Sequence, residues 1–535
     1  MHLVARACIV ALLASFLPIT SVAAAPHAQL TIGEQQEPGT LNPVLATLAV
    51  ESDAFNLIFD GLFRNDAAGN LVPDLAARVP TQANGDISRD GRTITYHLVA
   101  NARWHDGVPV TSDDVKFTYE AIMDPRNTVI SRNGYDEIER LETPSPSTVV
   151  LHLKRAWAPI VEQIFTTKAT EAIVPAHLLR GIADFNRAAY NALPVGSGPY
   201  RIVAWHRGQD MVFEANPAYF HGAPKIARIV WKFIPNESTL LNALRSGELD
   251  FVDRLGPAPY AQMGSVPGFT GTLGPSLGWE HLIFNTETGP LTDVRVRQAL
   301  CRATNVHDLL AKIVHGIGDV GVGLINPHAP YYLRSLEPCA YDPAAAAKLL
   351  DDAGWPLAAD GMRRNAAGKP LQLTFGTVAG MIDREQTQVI LQSSWKALGI
   401  ETTLRTFPAA TFFAPMQAGG MLYSGKLDVG LGANYLDADP SHVNLLSSDR
   451  IPPAGQNLAR WKNARVTELE TLGASTYDVA QRRRAYDEIQ RIVAREVPYL
   501  TLRWRTAVAM HKNELIGVKP SLVGSTFWNV NAWTF

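Results

Sequence analysis

A chain of 535 residues exceeds what one hydrophobic core organises, so several lobes or domains are expected. Hydrophobic residues at 46% and charged residues at 19% exclude a disordered or coiled-coil chain. Forty-eight Lys and Arg against 51 Asp and Glu give a net charge of −3, without the basic stripe that nucleic acid requires.

The first segment is a targeting signal by pattern. Arg6 precedes an apolar run from Ala7 to Ile19, and Ser21-Val22-Ala23-Ala24-Ala25 supplies small residues before Pro26. This predicts a secretory signal peptide over residues 1–25, cleaved near Ala25, and a soluble periplasmic protein. The run is broken by Pro18 and falls short of the roughly 20 residues that span a bilayer. Cys8 lies too early in it for a lipoprotein cleavage site. After cleavage Cys301 and Cys339 remain, an even pair in an oxidising space, either bonded or two buried thiols.

Strand and helix signals then alternate, predicting an α/β chain with mixed sheets. Leu30–Gly33 reads as a strand, Glu37–Pro43 as a loop and Ala49–Phe59 as a helix. Thr93–Leu98 alternates with period two. Trp104-His105-Asp106-Gly107 is a turn, and Thr111-Ser112-Asp113-Asp114 starts a helix that Asp124-Pro125 stops. Strands are expected at Val149–Leu153, Arg201–Trp205, Ile226–Phe233 and Leu249–Val252, with a helix at Ser238–Arg245. Paired helices follow at Asp293–Ala303 and Asn305–His315, and Asp342-Pro343 caps another running to Gly354. Leu371–Gly376, the helix Arg384–Leu398 and Glu401–Thr406 form a βαβ-like unit; a helix at Arg482–Arg495 precedes the strand Tyr499–Leu502.

Six blocks, in order, carry a resemblance. They are Glu37-Pro38-Gly39-Thr40-Leu41-Asn42-Pro43; Trp104-His105-Asp106-Gly107 through Phe117; Val195-Gly196-Ser197-Gly198-Pro199-Tyr200; Leu244 to Asp250; Asp293 to Leu300; and the Ala-rich helix to Leu349-Leu350 with Gly354-Trp355. Together they resemble the family 5 extracellular solute-binding proteins over nearly the whole mature chain. The resemblance implies a two-lobed, flytrap-like periplasmic-binding-protein type II fold with an extra subdomain on the N-terminal lobe. Lobe I would comprise residues 26–70, 190–275 and 495–535, the extra subdomain 71–189 and lobe II 276–494. It also implies a monomeric receptor, without enzymatic activity or cofactor, that delivers a small solute or peptide to the permease subunits of an ABC importer.

The family's ligand loop corresponds to Gly432–Pro440, which offers Asn434, Tyr435, Leu436, Asp437 and Asp439 as ligand-binding candidates. Peptide-binding members carry an Asp three residues before the Asp-Pro pair, partnering the ligand's amino terminus. Leu436 stands there in this chain, so that salt bridge is missing unless Asn434 or Asp437 takes its role. Asp439-Pro440 also reads as the cap and first turn of a helix. Glu37 and Trp279 match further cleft positions of the family, with a solvated acid and a core aromatic as alternatives. His442, beside the loop, is a further candidate contact.

Signals for catalysis are weak. Gly316-Ile317-Gly318-Asp319-Val320-Gly321 has the spacing of a dinucleotide fingerprint but follows a helix. Ser197 lacks the flanking spacing of a nucleophile elbow, and the 14 histidines show no metal-ligand spacing. Peptides or peptide-like solutes are the expected cargo. A metal chelate, haem, opine, glycoside or antibiotic-like compound is the alternative, and an exported hydrolase comes last.

Overall fold

The computed structural model describes residues 29–166, 172–263, 266–337, 339–414, 416–437 and 439–535. The expected signal peptide lies outside the described residues.

One ten-stranded mixed sheet runs through the molecule. From one edge its order is Glu401–Phe407, Gln372–Val378, Val429–Tyr435, Phe269–Phe284, Tyr499–Lys512, Phe251–Val252, Gln29–Glu34, Arg228–Phe233, Asp210–Ala215 and Tyr200–His206. Two long antiparallel strands, Phe269–Phe284 and Tyr499–Lys512, span its middle. Their far halves pack into a core with Phe375, Trp395 and Leu300, through Leu282, Phe284, Leu500 and Leu502. The opposite half of the sheet closes over a second core containing Ile32, Phe55, Phe59, Trp231, Phe251, Phe527 and Trp533. The chain thus forms two lobes joined by a two-stranded crossing.

Residues 495–504 were expected with the first lobe, but their strand pairs with the second: Thr501, Leu500 and Tyr499 lie opposite His281, Leu282 and Ile283. The return crossing therefore falls near Arg505. Neither crossing strand is legible at full length. Gly271, Gly274, Pro275 and Gly278 break the strand pattern of the outgoing one.

The extra subdomain is a three-stranded antiparallel sheet, Thr93–His97, Thr148–Leu153 and Ile138–Ser145, under the helix Ser112–Met123. Its Tyr96, Val115 and Val149 share the first lobe's core. The tryptophan block explains itself here. The Asp114 carboxylate accepts from the Thr111 backbone N–H at 2.8 Å, the Ala176 N–H at 2.9 Å and Trp104 Nε1 at 3.3 Å. Three donors on one carboxylate fix the helix start, the turn before it and the segment that packs across it. Gly196 shows why its turn is glycine-rich: a Cβ there would meet the Ile58 carbonyl oxygen at 1.8 Å.

The expected helix starts hold at Asp293, whose side chain accepts from Arg295 N–H, and at Asp342, which accepts from Ala345 N–H. Gln372–Val378 and Glu401–Phe407 pair in parallel around the helix Ile382–Lys396, the βαβ unit read from the sequence. Cys301 and Cys339 are paired as a disulfide, with Cα atoms 6.0 Å apart across 38 positions.

Candidate functional site

Between the lobes lies a cleft of about 310 Å³ whose lining draws on both sides: Asp253, Arg254 and Thr526 from the first, Asp383, Tyr435, Arg503 and Arg505 from the second and the crossing. A larger cavity of about 600 Å³ sits beside the disulfide, lined by residues of the second lobe. The cleft is the candidate site because charged groups of both lobes share one space there, at the carboxyl ends of parallel strands.

Two of those ends build the first wall. Gln29–Glu34 and Phe251–Val252 run parallel, with Gly33 opposite Val252, so the chain leaves the sheet at Glu34 and Asp253 side by side. Arg254, in the left-handed conformation at φ 56°, turns back to form a bidentate pair with Asp53: Nε to Oδ2 is 2.6 Å and Nη2 to Oδ1 is 2.9 Å. Asp253 accepts from the Thr526 hydroxyl at 3.2 Å. Burial, then the charge of Asp53, pushes the Asp253 carboxyl up to about 6. Glu34 is pushed up to about 7, chiefly by burial and then by Asp53, with a further push from Asp253. Three carboxylates here share one guanidinium.

The second wall is built differently. Glu280 is buried on the outgoing strand. It meets Arg384 Nε at 3.1 Å, Arg503 Nε at 2.5 Å and Arg505 Nη2 at 3.8 Å. Arg503 also reaches Asp383 at 3.2 Å. Burial alone would raise the Glu280 carboxyl; the guanidiniums of Arg503, Arg505 and Arg384 outweigh it and hold the group below its ordinary value. Tyr435 stands opposite Gly278 in the ladder, 65% exposed, with its hydroxyl on Arg505. A Cβ at Gly278 would lie 3.0 Å from Arg505 Cβ and 3.2 Å from Tyr435 Cε1, so glycine lets both side chains lie against the strand.

Of the sequence candidates, Tyr435 lines this cleft; the others are placed elsewhere. Glu37 accepts from Trp205 Nε1 at 2.9 Å and Gly208 N–H at 3.0 Å, pinning the hairpin Tyr200–Ala215. Trp279 is fully buried, stacked on His281 and donating to the Thr501 hydroxyl at 2.9 Å; it is a core aromatic of the crossing. Asn434 pairs across the ladder with Trp279 at the end of the strand Val429–Tyr435, where a loop was expected. Leu436 donates its N–H to Leu277 and packs against the second lobe's core. Asp437 accepts from Gln163 at 3.2 Å, tying the extra subdomain to the second lobe. Ala158 and Tyr477 add two more such ties, on the Ala474 and Trp157 carbonyls.

Asp439 is buried in an ion pair with Arg482 at 2.6 Å. It accepts from Ser441 N–H in a local turn, and the short helix Val443–Leu446 begins only after His442, so Asp439 is not its cap. His442 is buried and its ring is driven down to about 4, chiefly by burial. Ser197 is buried too, its hydroxyl donating to Asp60 at 2.8 Å. The segment Gly316–Gly321 follows the helix Val306–Val314, and no strand precedes it. Among the described residues no three His, Cys, Asp or Glu are grouped to hold a metal ion, and no helix is long and apolar enough to cross a membrane.

Glu34, Asp53, Asp253, Arg254, Asp383, Arg503 and Arg505 were missed. The signal was faint but present: Asp253-Arg254 ends an apolar strand, and Arg503 and Arg505 alternate along another.

Residues 70–452 match the bacterial extracellular solute-binding proteins, family 5 Middle, and the chain belongs to that family. Protein XP55 of Streptomyces lividans is 29% identical over 473 residues, covering 88% of this chain and 83% of that protein. Oligopeptide-binding protein AppA of Bacillus subtilis is 24% identical, covering 90% and 88%. Among solved structures, NikZ from Campylobacter jejuni in complex with Ni(L-His) superposes with a TM-score of 0.78 at 25% identity, over 96% of this chain and 100% of that one.

Proposed function

We propose that this chain is the solute receptor of an ABC importer: it captures a peptide or peptide-like solute between its lobes and presents it to a membrane permease. Family membership supports the receptor role, and AppA, described as an oligopeptide-binding protein, supports the cargo class. The observation that carries the reading is the cleft itself, with charged groups of both lobes facing one space across a two-stranded crossing. Closure over a solute removes water, so each buried polar group must find its partner on the ligand. In this reading the mature protein starts near residue 26, works in the periplasm as a monomer, binds no nucleic acid and catalyses no reaction. Ser197, spent on Asp60, supports the last point.

NikZ, solved with Ni(L-His), keeps a small chelate as the second reading. Native mass spectrometry of protein purified from the periplasm separates the two by the mass of the co-purified solute. Solute at saturation should raise the melting temperature and reduce the radius of gyration in solution scattering. Stabilisation without compaction would contradict capture between the lobes.

A further inference from the structure

The acidic wall has a consequence for the solute, which rests on the receptor reading above. Arg254 is committed to Asp53 through both of its bonded nitrogens. That leaves Glu34 and Asp253, each more than nine-tenths buried, without a full counter-charge. Glu34 Oε1 accepts from the Gln35 and Gln36 N–H groups, whereas Oε2 has no hydrogen-bond partner among the described residues. Asp253 lines the cleft directly. A buried carboxylate without a cation is costly, and it resolves the cost by taking a proton or a positive group.

Two further observations point to a positive group. Tyr435, facing this wall across the cleft, keeps most of its ring free and so offers a π face to a cation. Leu436, where the resemblance places the partner of a ligand amine, is aliphatic and packed into the second lobe. The second wall supplies no spare negative charge either, because Glu280 and Asp383 are consumed by Arg384, Arg503 and Arg505.

We propose that the solute carries an ammonium or guanidinium group and that the cleft holds it on Glu34 and Asp253 of the first lobe, with Asp53–Arg254 bracing them and Tyr435 covering the cation. The charged groups around this position are Glu34, Asp53, Asp253 and Arg254 on the first wall, with Tyr435, Asp383, Arg503 and Arg505 facing them. The cation displaces a proton from these two raised carboxyls, so affinity rises with pH, about tenfold per unit while one proton is released.

The test uses the mature protein and defined probes: a tripeptide pool lacking Lys, Arg and His, the same pool N-acetylated, agmatine, glutarate and glucose. Calorimetric titration at pH 6.5 in two buffers of different ionisation enthalpy reads affinity and proton release together. A cation site predicts binding of the free-amine pool or agmatine with a proton released, at least tenfold weakening by N-acetylation of the pool, and at least tenfold weakening in Asp253→Asn and in Glu34→Gln. Melting curves establish that the variants are folded. Equal binding of the acetylated pool, or variants within twofold of the parent, overturns the proposal. Binding of glutarate or glucose alone overturns it while leaving the receptor reading in place. Binding of no probe, with no co-purified solute, overturns both.

Discussion

The two walls of the cleft hold similar residues and treat them in opposite ways. On the second wall three arginines outnumber Glu280 and Asp383, and Arg505 Nε is buried without a hydrogen-bond partner; Glu280 is ionised more readily than a free glutamate. On the first wall the acids outnumber the single arginine, and Glu34 and Asp253 hold protons well above the usual carboxylate range. Glu280, Glu34 and Asp253 are all buried, so burial does not distinguish them. What differs is the local ratio of charges. Acids surrounded by guanidiniums stay ionised in place, and acids short of a counter-charge are where a cationic ligand gains most by arriving.

The comparison breaks first at Glu280. If that wall is scaffold, Glu280→Ala leaves three guanidiniums without their buried acceptor and should cost about 3–5 kcal/mol of unfolding free energy in a denaturant titration. A loss below about 1 kcal/mol would mean that water, and not Glu280, satisfies those arginines.

Glu34→Gln should act in the other direction. In the folded chain Glu34 keeps its proton to about 7, whereas an unfolded glutamate releases it near its ordinary value of 4.5. The folded state therefore binds more protons across that window, and stability falls as pH rises through it. Removing the group should leave stability unchanged at pH 4 and raise it at pH 8 by roughly 2–3 kcal/mol, as melting curves across that range would show. A variant more stable than its parent yet weaker in solute affinity would separate the binding wall from the scaffold wall in a single substitution. Tyr435→Phe gives the smallest effect: Arg505 loses a hydroxyl and the ring stays, so affinity should change by less than about threefold. Tyr435→Ala, which removes the π face, should weaken binding by tenfold or more in the same titration.

The lobed fold was legible because its local signals are strong and consistent. The Asp293 and Asp342 caps and the βαβ unit appear where the sequence put them. The crossing was half visible. Its second-lobe ends read as apolar strands, while glycines and Pro275 masked the rest; these become ordinary strand residues only when a partner strand supplies the hydrogen bonds. The site was less legible still. Tyr435 was found through the resemblance, whereas Glu34 and Asp253 lie more than 200 positions apart and meet only because their strands are neighbours. Trp279 and Asp439 misled for the reverse reason: an indole and a carboxylate suited to a ligand were already committed to Thr501 and Arg482.

The crossing also has a mechanical side. Its ladder is regular up to Pro275 opposite Thr506 and resumes at Trp279 opposite Trp504, so three residues face Arg505 alone. Leu277, at the centre of that bulge, donates its N–H to Leu522 on one side and accepts from the Leu436 N–H on the other. One residue's peptide groups are thus an axle with a bearing in each lobe. No ladder pair closes along that line, and Arg505, the residue opposite the bulge, also lines the cleft. A solute that touches Arg505 therefore touches the seam between the lobes itself.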